Sequence, residues 1–321
     1  MRTARWLIFA AIALPLFAAD VKTGGSKMIP LDGGKYSVWT KRVGPSSARI
    51  LTLHGGPGFA HDYLEAFEDF LEPAGLGFYY YDQLGVGNSD NPDDVSFWTV
   101  DRYREEVEQV RKGLGLDQFI LYGHSWGGML GVEYALAHQD HLKALIISDM
   151  TMSVDAYEAY AQKLLAELTD EDRATLKKYA EAGNFEAPEY QAIMFGKVYS
   201  QHVLRIDPWP EPVLRTFRKM NAKIYNTMQG PNEFVITGNF KEWDRWNDLP
   251  RIKVPTLVIA GRLGTMNPDD IRRMGKLIPN SRTVLTEGSH LEMYDAQEEY
   301  FRELVRFVKD VESGKFKPDK K

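Results

Sequence analysis

The chain predicts an α/β fold, a mostly parallel sheet of strands joined by helices, with a helical segment inserted between two parts of the sheet. Three observations predict it. Short apolar runs ended by glycine or polar turns alternate with amphipathic stretches, as in strand–helix–strand units. One run, Gln118 to Tyr122, enters Gly123-His124-Ser125-Trp126-Gly127-Gly128 and continues as a helix-like segment, Met129 to Ala137. From about Thr151 to Asp248 the alternation stops and the chain reads as helical, rich in Tyr, Met and Trp.

The elements follow in order. Arg2 and Arg5 precede an apolar run from Trp6 to Ala19, and Asp20 and Lys22 then open a polar segment. That is the charged and apolar layout of a secretory signal, shorter than a typical membrane span. Residues 1–19 are therefore expected to be a signal peptide, and the mature protein to be periplasmic or secreted, with no stable membrane insertion. Leu16 or Phe17 would occupy the −3 position of the cleavage site, where small residues are preferred, so an uncleaved anchor is the alternative. Two or three strands fill Lys27 to Leu53, with turns at Asp32-Gly33-Gly34 and Gly44-Pro45. Gly77 to Tyr81 is a buried strand, Thr99 to Leu114 an amphipathic helix, and Ala144 to Ser148 a further strand. After the helical stretch come the strand Pro255 to Ala260, a helix from Pro268 to Leu277, a strand at Arg282 to Leu285, and a last helix from about Ala296 to Val311. The expected organisation is signal 1–19, first core part 20–150, helical cap 151–248 and second core part 249–321.

Bulk properties exclude several functions. The 321 residues are 44% hydrophobic and 26% charged, enough for a substantial core. Net charge is −6 with Lys and Arg scattered, so nucleic acid is not an expected partner. Cysteine is absent, which removes disulfides, thiolate metal sites and a cysteine nucleophile. No cofactor or metal is called for.

Strand, Gly-x-Ser-x-Gly and helix together form the nucleophile elbow of the α/β-hydrolases, with Ser125 as nucleophile. Acyl transfer also needs a base, an orienting acid and an oxyanion hole. His290, in Glu287-Gly288-Ser289-His290 after the last strand, is the expected base. His54-Gly55-Gly56-Pro57-Gly58 after a buried strand supplies one oxyanion amide, that of Gly56, and Trp126 supplies the other.

Together these motifs resemble the proline iminopeptidase family of serine hydrolases. The resemblance rests on HGGPG at His54–Gly58, DQLGVGNSD at Asp82–Asp90, GHSWGG at Gly123–Gly128, GPNEF at Gly230–Phe234 and GSH at Gly288–His290. It implies an α/β-hydrolase fold with an inserted helical cap, and cleavage of an N-terminal residue, proline favoured, from a small peptide or amino-acid amide. It also implies that Glu233 binds the substrate's free amine. A carboxylate in an aromatic cap suits an ammonium.

One departure stands out. The family's acid lies in a motif like G-R-x-D-x-x-x-P, which here reads Gly261-Arg262-Leu263-Gly264-Thr265-Met266-Asn267-Pro268, with Gly264 at the acid position. A glycine cannot orient an imidazole. Asp149, at the tip of the strand after the nucleophile helix, is the candidate replacement, the place where haloalkane dehalogenases carry their acid. Asp269 and Asp270 read instead as a helix start, and Glu292 and Asp295 as too close to His290 along the chain. Two other readings stay open: an amidase, esterase or lactonase on the same machinery, and a pseudoenzyme that binds ligand with little turnover. Serine at position 125 argues against epoxide hydrolase or dehalogenase chemistry, which needs aspartate there.

Overall fold

The computed structural model describes residues 23–320; the expected signal peptide lies outside them. Eight strands, β1 (Ser26–Leu31), β2 (Tyr36–Val43), β3 (Ile50–Leu53), β4 (Phe78–Tyr81), β5 (Phe119–His124), β6 (Leu142–Ser148), β7 (Thr256–Gly261) and β8 (Ser281–Thr286), form one sheet in the order β1-β2-β4-β3-β5-β6-β7-β8. The β1–β2 and β2–β4 pairs are antiparallel and all the others parallel. Every residue of β3, β5 and β7 is buried, because helices cover both faces of a parallel sheet.

Register then gathers the site. Leu53 pairs with Gly123, His124 with Ser148, and Ser148 with Ile259, so β3, β5, β6 and β7 end side by side. The loops leaving those ends form a crevice at the carboxyl edge of the sheet.

Between β6 and β7 the chain is helical, with helices at Val154–Leu165, Asp170–Glu181, Pro188–Ile193, Glu211–Arg218 and Ala222–Met228 among others. Side chains of Ser153, Thr169 and Asn221 accept hydrogen bonds from the first-turn amides of three of them, which stops each helix from running backward into the loop. This segment shares its core with the sheet. Trp126, Met129, Met228, Ile236, Phe240 and Trp243 belong to one apolar cluster, and Tyr63, Leu291, Tyr190 and Met194 to another. An ion-pair cluster adds a polar tie: Arg215 reaches Asp62 and Glu65, and Lys219 also holds Asp62 at 2.8 Å. Among the described residues no helix is long and apolar enough to cross a membrane.

Candidate active site

Ser125 sits at the end of β5 with φ 55° and ψ −126°, a conformation that non-glycine residues rarely hold. Its neighbours make the turn sterically feasible. A Cβ on Gly123 would run into Gly127 O, and one on Gly127 into Leu53 O. A Cβ on Gly128 would sit 2.9 Å from Met150 Cβ, so glycine lets the nucleophile helix lie close to the sheet. The Ser125 amide is held by Ser148 O at 2.9 Å.

The two expected oxyanion donors flank this serine. Gly56 lines the cavities on both sides of Ser125, and among the described residues its N–H has no internal acceptor. Trp126 is the first residue of its helix, where N–H groups lack an intrahelical partner. The glycine loop is fixed by a chain of bonds that sequence reading missed. The Gly55 amide donates to Tyr63 Oη at 2.6 Å, Tyr63 donates to His124 Nδ1 at 3.0 Å, and His124 Nε2–H donates to His290 O at 2.8 Å. Burial lowers the His124 pKa to about 4, which keeps the ring neutral as this pattern requires. The same holds for His54, also lowered to about 4 by burial, which accepts the Gln83 amide at 3.1 Å. The DQLGVGNSD motif thus has a structural part. Gln83 braces His54 and receives Trp126 Nε1–H at 2.9 Å, while Asp82 gathers the amides of His61 and Asn88.

His290 lines the same cavity as Ser125. Its loop is clamped from the helical insertion: His290 N–H bonds His202 O at 3.0 Å, and Leu291 N–H bonds Val203 O at 2.9 Å. Burial and the nearby His124 ring hold the His290 pKa well below the ordinary histidine value, so it is neutral and able to take a proton.

The orienting acid is corrected by the structure. Gly264 does lie against this loop, since a Cβ there would be 3.1 Å from the His290 amide nitrogen. The group at His290 Nδ1, however, is the Thr265 hydroxyl, 3.0 Å away, and not Asp149. Asp149 is fully buried and turned elsewhere. Its Oδ1 accepts the Gly261 amide at 3.2 Å, and its carboxyl pairs with that of Glu292. Two carboxyls can bond only by sharing a proton, and burial together with mutual repulsion raises Asp149 well above its usual range, while burial raises Glu292 to about 8. Asp269 lies at a helix start capped by Asn267, as the sequence suggested.

Glu233 is partly buried, and it lines both cavities beside Ser125. Tyr157 donates to its Oε1 at 2.8 Å and Tyr225 to its Oε2 at 3.2 Å. Burial raises its pKa to about 7 against these two donors. Tyr157, Tyr225 and Thr265 carried no sequence signal, because each lies in a helix or loop whose placement only the tertiary fold decides. His61, Asp62 and Glu65 converge closely enough to suggest metal ligands. They are already taken, by Asp82, by Arg215 with Lys219, and by Arg215 respectively.

An elbow serine, a neutral histidine and two unengaged amides at the carboxyl edge of a mostly parallel sheet define an α/β-hydrolase, and the alpha/beta hydrolase fold family matches residues 48–295. A proline iminopeptidase of Chitinophaga pinensis is 42% identical over 296 residues, 89% of this chain and 99% of that one. The solved proline iminopeptidase of Mycobacterium smegmatis superposes with a TM-score of 0.82 at 31% identity, covering 90% of this chain and 99% of that one. The crystal structure of VinJ gives 0.84 at 31% identity, over 89% and 98%. The chain belongs to the proline iminopeptidase family of α/β-hydrolases.

Proposed function

We propose that the protein is a serine aminopeptidase that releases an unblocked N-terminal residue, proline favoured, from small peptides or amides. The observation that carries this reading is the position of Glu233. A carboxylate held by two tyrosines borders the cavities that also hold Ser125 and His290, so an ammonium bound there sets the adjacent carbonyl beside the nucleophile. The proline preference comes from the relatives named proline iminopeptidase.

Chemistry follows from the geometry. Ser125 Oγ attacks the carbonyl carbon while its proton passes to His290 Nε2. The Gly56 and Trp126 amides face the oxyanion that develops. The imidazolium then gives its proton to the departing amine, leaving an acyl-enzyme, and water releases the acid by the same steps in reverse order. The relatives give the non-catalytic reading no support. The altered acid belongs to this proposal: Gly264 carries no carboxylate, and the Nδ1 proton of His290 goes to Thr265.

The test is hydrolysis of proline p-nitroanilide beside its N-acetyl analogue. Cleavage confined to the unblocked substrate and lost in Ser125→Ala by on the order of 10⁶-fold is expected. Equal cleavage of the blocked compound would favour an esterase or general amidase instead. We also infer from the basic and apolar leader that the protein is exported, which N-terminal sequencing of the mature form would check.

A further inference from the structure

Two cavities meet at Ser125, and they differ in which catalytic group borders them. Ser125, Gly56 and Glu233 line both. His290 lines only the larger, of about 530 Å³, and Trp126 only the smaller, of about 340 Å³. The imidazolium hands its proton to the departing group, so that group has to leave on the His290 side. The residue that stays on Ser125 as the acyl group then extends the other way, toward Trp126, Met129, Phe240 and Met266. The larger cavity is thereby the place of the leaving amine, and its wall is apolar. Phe59 and Phe217 are half-buried with ring centroids 5.1 Å apart, and Val203, Val213 and Leu291 complete it. The aromatic surface continues outward: Phe217 also packs on Trp209 at 5.5 Å and on Phe195 at 6.3 Å, and Phe195 is 43% exposed. Among the described residues no lysine or arginine lines either cavity, and Glu233 is the one carboxylate there.

We propose that the larger cavity is a leaving-group subsite that selects an apolar, uncharged amine component. Its occupant is a residue with a large apolar side chain, best an aromatic one, that continues as an amide or a longer chain and does not end in a free carboxylate. The amine-bearing half of the substrate rests on the proposed function, and the subsite adds the class of residue that follows it. A phenyl side chain that leaves water for the wall of Phe59 and Phe217 gains burial and ring contact, which a glycine cannot. A carboxylate on the same residue would shed its water among apolar groups, with no cation to meet it and Glu233 nearby. A dipeptide with a free C-terminus is therefore the poor substrate, and an apolar amide or the start of a longer peptide the good one.

Proline release from prolyl-phenylalaninamide, prolyl-glycinamide and free-acid prolyl-phenylalanine holds the acyl residue constant while the leaving group varies. The phenylalaninamide should exceed the glycinamide in kcat/KM by roughly 10- to 100-fold. It should exceed the free acid by at least about tenfold. Phe217→Ala should cut the ratio of phenylalaninamide to glycinamide by on the order of tenfold. A ratio within one variant does not depend on how much of it folds, so equal losses on both substrates would overturn the assignment of this wall. Equal wild-type values for the two amides, or a preference for the free acid, would overturn the proposal. If no unblocked prolyl substrate is cleaved, the peptidase reading fails by itself. Benzyl against ethyl acetate, measured above the Ser125→Ala background, then decides the subsite: benzyl is favoured by roughly tenfold or more if it stands, and not at all if it falls. Inactivity toward both series would overturn both.

Discussion

With the Thr265 hydroxyl at His290 Nδ1, Asp149 faces Gly261 and Glu292 instead, and its burial there has consequences of its own. Asp149→Asn should leave kcat on proline p-nitroanilide within about threefold, against roughly 10⁴ if Asp149 oriented the ring. The same variant tests the shared proton. Glu292 has its pKa raised to about 8 in the fold, so its contribution is full below its ordinary value of 4.5 and is lost as pH rises through about 8. An amide at position 149 can donate to an ionised Glu292 without a shared proton. Thermal denaturation should therefore show Asp149→Asn gaining on wild type as pH increases from about 6 to 9. Glu233 gives the opposite profile in activity. Its carboxylate faces the Tyr157 and Tyr225 hydroxyls, with the buried Tyr199 ring nearby, and burial raises its pKa to about 7. Below that pH it is neutral and holds an ammonium poorly, so kcat/KM for proline p-nitroanilide should climb as pH passes about 7. A flat profile from pH 6 to about 8 would argue against Glu233 as the amine ligand.

At the scale of elements, the helix Glu211–Arg218 is held over the crevice by ions as well as by apolar contact. Arg215 bonds Asp62, Glu65 and Glu211, and Asp62 is almost fully buried. Val213, Thr216 and Phe217 of this helix line the cavity above Ser125, so the latch sets the shape of the substrate's surroundings. Arg215→Ala leaves Lys219 as the cation on Asp62 and should cost about 1.5–3 kcal/mol of local stability. Faster limited proteolysis within the helical insertion and a raised KM are the expected readouts. Wild-type protein should show the same trend more weakly at high salt, since the Arg215 side chain is partly exposed.

Across the whole molecule the insertion and the sheet are not separate bodies. The two apolar clusters each draw side chains from both, with Trp126 stacked on Phe240 at 5.8 Å between ring centroids. The catalytic loop itself is hydrogen-bonded to the insertion at His202 and Val203. Calorimetry should therefore give a single cooperative transition, and two resolved transitions would show that the shared core has been overvalued. A phosphonate bound covalently at Ser125 touches both parts and should raise that transition without splitting it.

Local chemistry wrote most of the scaffold into the chain. Gly123, Gly127 and Gly128 are where a Cβ would strike backbone or a packed side chain, and the parallel strands are continuous apolar runs, so periodicity and turn residues place the elbow and the sheet. The motif matches likewise placed Ser125 and His290 beside one cavity, with Gly56 and Glu233 around them. Distance in sequence hid the rest. Which group stands behind His290 depends on where the loop after β7 meets the loop after β8, and a hydroxyl at position 265 looks in sequence like any buried threonine. Asp149 had the right strand tip for the missing acid, but its direction was decided by Gly261 and Glu292, 112 and 143 residues further along. Turns and strands are fixed by neighbours a few residues apart, so the sequence by itself determined the fold and the nucleophile. The partner of the base is fixed by side chains from three separate segments, and only the tertiary structure decided it.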